Sequence, residues 1–243
     1  MSIDPKKLAD NLARIHDRMA AACGRVRRDV SEVALVAVTK SVEPDVIREL
    51  VLLGQTDLGE SRVQQLAERA ADPAIAAAAA EIGQTVRWHM VGHLQRNKVK
   101  ACLDASRMIH SVDSLRLAEE INARAAQAST TVECLLEVNT SSEPQKDGVA
   151  VGAATHMAEQ IRTLKCLRLT GLMTMAPLTE NLDDARRCFV RLRELFEEIR
   201  AEGIAGREFG RLSMGMSNDF EAAIEEGATL VRVGTALFED DSL

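Results

Sequence analysis

The chain has 243 residues, a net charge of −7, a 46% apolar share and only 2% aromatic residues, with no tyrosine. An acidic chain without a basic, aromatic-interleaved patch does not fit nucleic acid as its main partner, and no stretch approaches the ~20 apolar residues of a membrane span. Five scattered cysteines, Cys23, Cys102, Cys134, Cys166 and Cys188, lack a C-x-x-C spacing, which argues against a disulfide framework or zinc site and predicts a reduced, cytoplasmic setting.

The length predicts one large α/β domain spanning 1–243. Its polar opening, with Asp4, Lys6 and Lys7, does not read as a signal peptide. Leu8, Leu12, Ile15, Met19 and Ala22 lie on one helical face, so an extra helix over 4–23 precedes the first strand, with Gly24 as its stop. The run 33–40, seven uncharged residues ending in Lys40, reads as a buried parallel strand. A helix over 44–53 and a strand over 56–60 follow, then a helix over 61–71. The alanine-rich patch 71–80 suits a helix or packed loop rather than a linker. Alternation continues with strand 86–92, helix 95–103, strand 108–111 and a helix capped by Asp113 or Ser114 that runs to residue 128. Next come strand 132–139, helix 151–164, strand 167–175, helix 182–201, strand 209–214, helix 219–226 and strand 229–235. Eight strand–helix units in this length predict a single TIM (β/α)8 barrel, with a doubly wound sheet as the other arrangement.

Barrel chemistry collects at the C-terminal strand ends, where this chain places Lys40, Glu60, His89, Ser111, Asn139, Thr174 and the 214–217 and 232–235 runs. Strand parity puts Lys40 on the face of Ala34, Val36 and Val38. Facing into a barrel, its amine would be partly desolvated and suited to attack a carbonyl; otherwise it snorkels to solvent. In the runs that hold Met214 and Arg232, the small residues Gly215, Ser217, Gly234 and Thr235 allow backbone N–H groups to approach an anion, though a plain turn would use the same residues. Arg232 points into the barrel and needs a partner, either a carboxylate such as Glu60 or a ligand atom. His89 and His93 straddle a strand end and share no helical face, so no metal site is expected from them.

Together these blocks resemble a known family. The 37–40 run Ala-Val-Thr-Lys, Gly59-Glu60-Ser61, the 88–98 run Trp-His-Met-Val-Gly-His-Leu-Gln-Arg-Asn-Lys, the 110–113 run His-Ser-Val-Asp, Gly171-Leu172-Met173, the 212–219 run Leu-Ser-Met-Gly-Met-Ser-Asn-Asp and the 231–238 run Val-Arg-Val-Gly-Thr-Ala-Leu-Phe are similar, in order, to those of the pyridoxal phosphate homeostasis proteins. The resemblance implies a barrel like the alanine racemase N-terminal domain. It implies pyridoxal 5′-phosphate (PLP) held as a Schiff base on Lys40, phosphate contacts from Ser217 and the Gly234–Thr235 backbone, and Arg232 facing the pyridine nitrogen. Met214, Gly215, His89, Asn139 and Ser61 complete the expected cofactor-binding set. Ser61 replaces the family's asparagine, and Lys146 matches a family lysine near the mouth.

The expected function is therefore intracellular PLP (vitamin B6) homeostasis by a carrier with little or no turnover, acting as a monomer, with a dimer as the alternative, and supplying PLP-dependent apo-enzymes. The alternatives are a PLP-dependent amino-acid racemase or another enzyme of this fold type, and a phosphate-binding aldolase-type barrel. Racemases of this fold use a second base, a tyrosine, and none occurs here.

Overall fold

A computed structural model describes residues 3–141, 143, 145–177 and 181–239; Pro144, within the run around Lys146, lies outside the described residues. Strands β1 (Ala34–Val38), β2 (Asp57–Glu60), β3 (Arg87–Met90), β4 (Met108–Val112) and β5 (Val132–Asn139) pair in parallel in chain order. A two-residue strand, β6 (Val149–Ala150), hangs on β5 beside the ring. Beyond it β7 (Leu167–Met173), β8 (Arg211–Ser213) and β9 (Leu230–Val233) continue the series, and β9 returns to β1. The result is the expected closed barrel of eight parallel strands.

Helices α1 (Pro5–Arg25), α2 (Pro44–Leu52), α3 (Val63–Ala70), α4 (Pro73–Glu81), α5 (Val99–Ala105) and α6 (Leu115–Gln127) precede α7 (Val151–Arg162), α8 (Leu182–Ala201), α9 (Phe220–Glu225) and α10 (Thr235–Phe238). Local chemistry starts them. Asp4 and Asp72 each accept a backbone N–H of the first turn, from Lys6 at 3.3 Å and Ala74 at 2.8 Å, with proline as the first helical residue after each cap.

The barrel interior holds a small apolar cluster that includes Val36, Leu135, Met173 and Leu230. The larger core lies between strands and helices, where Leu50, Ile109, Phe189 and Phe220 are fully buried. With few aromatic residues, aliphatic side chains fill both layers. Among the described residues no helix is long and apolar enough to cross a membrane.

Several boundaries move. α1 passes through Gly24 to Arg25 and is closed instead by Arg27 at φ +57, with the Arg28 N–H donating to the Cys23 carbonyl at 3.0 Å. The predicted helix 95–103 divides into a 3₁₀ turn (Arg96–Lys98) and α5. β6 and α10 were not expected. α1 packs against α9 and α10, and buried Asn11 donates to the Leu237 carbonyl at 3.0 Å, tying the segment after β9 to the first helix.

At Gly171 the β7 backbone passes so close to β8 that a Cβ would overlap the Arg211 carbonyl. Gly171→Ala must push these paired strands apart, so we expect it to cost about 3 kcal/mol and lower the thermal midpoint by roughly 10 °C, measured by calorimetry.

Candidate functional site

The pairing of β1 with β9 brings the candidate residues together. Val36 lies opposite Arg232, and Gly234 packs on Val38, where an added Cβ would sit 3.0 Å from the Val38 carbonyl oxygen. Two residues further along β1's inward series comes Lys40. β1 ends at Val38, however, and Lys40 stands in the following turn with an exposed side chain. This corrects the expectation of a partly desolvated strand-end amine: a turn beyond the last ladder hydrogen bond lifts the residue to the mouth.

That turn is held from outside the strand. Arg69 on α3, 8% exposed, donates to the Thr39 carbonyl at 2.9 Å, to the Val42 carbonyl at 2.7 Å and to the Glu60 carboxylate, which also accepts the Thr39 hydroxyl. Glu60 is fully buried. Burial pushes its pKa up, and the bonds from Thr39 and Arg69 oppose that. The carboxylate considered as a partner for Arg232 thus belongs to Arg69, because β2 ends with Glu60 aimed toward α3. Arg69 continues the Val63–Leu66 stripe of buried residues, and a charge on an apolar helical face is the signal that marks it.

Across the seam, Ser217 Oγ accepts the Gly234 N–H at 3.4 Å and the Ala236 N–H at 3.3 Å. Gly215 has φ +92, and a Cβ there would lie 2.6 Å from that of Ala223, so the tight passage from fully buried Met214 to Ser217 requires glycine. Asp219 Oδ1 fixes this turn by accepting the Met216 N–H at 2.6 Å. Thr235 is exposed at the first turn of α10. The arrangement gathers backbone donors around one hydroxyl, as an oxyanion requires.

Arg232 is 4% exposed and has no ion-pair partner among the described residues. It donates to Ser213 Oγ at 2.5 Å and to the Thr174 carbonyl at 2.8 Å. Desolvation lowers its pKa to about 10, against the favourable fields of Glu137 and Asp219. From Ser213 a polar column runs down the barrel interior: Ser213 Oγ to His110 Nδ1 at 2.9 Å, His110 Nε2 to His89 Nδ1 at 2.9 Å, and His89 Nε2 to Asp57 Oδ1 at 2.9 Å. With neutral rings, one assignment satisfies every member. Arg232 donates to Ser213, Ser213 to His110, His110 to His89, and His89 to Asp57. Full burial, then the nearby His89 and arginines, hold His110 well below the usual imidazole range.

The other expected residues take different positions. His89 is not at the mouth: both its ring nitrogens are engaged in the column, and it lines a cavity at the opposite end. Asn139 organises the loop after β5, donating to the carbonyls of Glu143 at 2.8 Å and Lys146 at 3.3 Å. Lys146 Nζ lies 2.8 Å from Glu143 Oε2. Ser61 is half-buried, its backbone against Gly92, where no Cβ fits. At the mouth His93 Nδ1 sits 3.3 Å from Asp113 and 3.6 Å from Asp147, a group of one imidazole and two carboxylates near the surface. Ser213, His110 and Glu137 were not anticipated, since only the closed barrel shows which residues of β4, β5 and β8 meet inside it.

The family model "Alanine racemase, N-terminal domain" matches residues 3–242. A pyridoxal phosphate homeostasis protein of Aquifex aeolicus (strain VF5) is 39% identical over 229 residues, covering 94% of this chain and 96% of that protein. A solved structure of a Bifidobacterium adolescentis protein has TM-score 0.91 at 37% identity, covering 98% of each chain. PipY of Synechococcus elongatus PCC7942, solved with PLP bound, has TM-score 0.77 at 31% identity, covering 96% of this chain and all of that one.

Glu137, on β5, is 4% exposed, and desolvation followed by the field of Asp147 pushes its pKa up to about 7 despite Arg232. Between pH 4.5 and 7 the unfolded chain releases this proton before the folded one, so its effect on stability is most favourable below pH 4.5. The loss by pH 7 is about 3 kcal/mol. Without added ligand, Glu137→Gln should melt roughly 6 °C above the parent at pH 8 and lose that advantage near pH 4.5, as followed by circular dichroism.

Proposed function

The chain belongs to the pyridoxal phosphate homeostasis family, built on the alanine racemase N-terminal domain, and from that premise we propose that it carries PLP at the barrel mouth through Lys40. Its role is to supply PLP to apo-enzymes in the cytoplasm rather than to turn over an amino acid. The observation that carries this reading is Arg232: a buried guanidinium without an ion-paired carboxylate, on the strand that runs into the backbone donors at Ser217, beside the strand that leads to an exposed primary amine. The residues fit the group. A planar heterocycle with an acceptor nitrogen, a phosphate and an aldehyde would meet a complementary partner at each position.

When bound, PLP supplies an aldehyde that condenses with a primary amine to an imine, with loss of water, and a ring that withdraws electrons. Lys40 provides the amine, held by the Arg69 clamp on Thr39 and Val42. Ser217 with the Gly234 and Ala236 amides receives the phosphate; Gly215 leaves room for that turn, and Met214 anchors it in the core. Thr235, exposed at the rim, and Ser61, half-buried after β2, complete the wall, while Asn139 shapes the loop that carries Lys146. Arg232 presents a fixed cation to the ring nitrogen and opposes its protonation, which weakens electron withdrawal and disfavours carbanion chemistry. His89 supports Arg232 through the column rather than by contact.

No phenol is available as a second base, because the chain contains no tyrosine. The five free cysteines suit a reducing compartment. After loading with PLP and gel filtration, the parent protein should keep its visible imine absorbance, and borohydride should fix the cofactor to the chain. Lys40→Ala should lose at least tenfold of that absorbance; full retention would overturn the assignment. Chiral chromatography of L-alanine incubated with the loaded protein should show no racemisation above free PLP, and robust turnover would favour an enzyme.

A further inference from the structure

A second cavity, about 940 Å³ in volume, lies at the other end of the barrel, at the N-terminal ends of the strands. Its wall carries six arginines, Arg28, Arg87, Arg107, Arg168, Arg200 and Arg211, against three carboxylates. In a chain of net charge −7 this is a local reversal of sign. Those carboxylates are already committed. Asp57 accepts both Arg87 at 2.8 Å and His89 at 2.9 Å, Glu133 accepts both Arg168 at 3.3 Å and Arg211, and Glu32 accepts Arg28 at 3.2 Å.

Arg107 and Arg200 are exposed on this wall without an ion-pair partner among the described residues; Arg107 donates only to the Ser106 carbonyl, at 3.3 Å. Guanidinium groups gathered in excess on a concave wall repel one another and focus a positive field into the cavity. Their planar donor forks match phosphate oxygens. The volume falls in the range of small-ligand sites, and Trp88, Met108 and Leu230 give the wall apolar surface as well. No lysine lines the cavity, so the chemistry offered is ionic and non-covalent, unlike that at the mouth.

We propose that this cavity binds a small phosphate-bearing anion with two or more negative charges, held by Arg107 and Arg200 and assisted by the outer forks of Arg87 and Arg168. The site is separate from the mouth and does not depend on the PLP assignment.

Inorganic pyrophosphate and inorganic phosphate serve as probes, titrated calorimetrically at low ionic strength into the full chain with and without added PLP. The same titrations are run on Lys40→Ala and on the double variant Arg107→Ala/Arg200→Ala. In the PLP-loaded parent, whose mouth is filled, pyrophosphate should bind at one site; that binding should persist in the unloaded parent and in Lys40→Ala, and phosphate should bind this site at least tenfold more weakly. The double variant should lose at least tenfold in pyrophosphate affinity while keeping its melting temperature and PLP content. Absence of pyrophosphate binding up to millimolar concentration, equal binding by the double variant, or binding that disappears once PLP is loaded would each overturn the proposal. A failure of the Lys40 assignment would appear as PLP retained by Lys40→Ala and would leave the pyrophosphate titrations readable.

Discussion

The seam where β9 pairs with β1 is the constraint on which the rest of the structure depends. It closes the barrel, and it also joins the two halves of the candidate site. Lys40 extends from one side, while Arg232, Gly234 and the Ser217 turn stand on the other. These residues are nearly two hundred positions apart in the chain, so no local element holds them in register. Backbone hydrogen bonds between Ala34–Ala37 and Leu230–Val233 do so, assisted by Asn11 reaching over to Leu237. Non-local pairing of this kind forms late and is lost early compared with a helix, and a ligand that touched both sides would stabilise the closed ring by mass action.

Around that seam, charge is handled in two ways. The Glu60–Arg69 pair is internal: Glu60 Oε1 accepts both Arg69 and the Thr39 hydroxyl, and Arg69 places its remaining donors on the Thr39 and Val42 carbonyls, so a buried ion pair becomes a brace for a turn even though Glu60 Oε2 has no hydrogen-bond partner among the described residues. Removing either partner would strand a buried charge. Arg232 is the opposite case, a buried cation satisfied only by a hydroxyl and a carbonyl. A folded chain retains such a group at a cost, and the cost is consistent with a group that works on a ligand.

Much of this was legible before the fold was known. Short β-branched runs broken by glycine and proline identify the eight barrel strands, and strand parity places Lys40 and Arg232 in the inward series. Gly215 sits where no side chain fits, and Gly234 where a Cβ would press on the Val38 carbonyl. What escaped has physical reasons. β6 and α10 are too short for any periodicity to accumulate. The split at Arg96–Lys98 leaves the apolar spacing intact. The exposure of Lys40 depends on where the ladder stops, a matter of one or two hydrogen bonds. Partner choice was the deepest gap: whether Glu60 meets Arg232 or Arg69, and whether His89 faces the mouth or the far cavity, is decided by the rotation of strands around a closed ring.

The column from Arg232 to Asp57 has one further consequence. With neutral rings every hydrogen bond in it points the same way, from a guanidinium that can only donate to a carboxylate that can only accept. Replacing either terminus by a group of opposite sense would force both imidazoles to change tautomer or leave a buried nitrogen unpaired. Asp57 on the cavity side and Arg232 beneath the mouth share no contact, yet substitutions at the two positions are not independent. Across a lineage they are expected to covary, the hydrogen-bond sense at one end of the barrel limiting which residues are tolerated at the other.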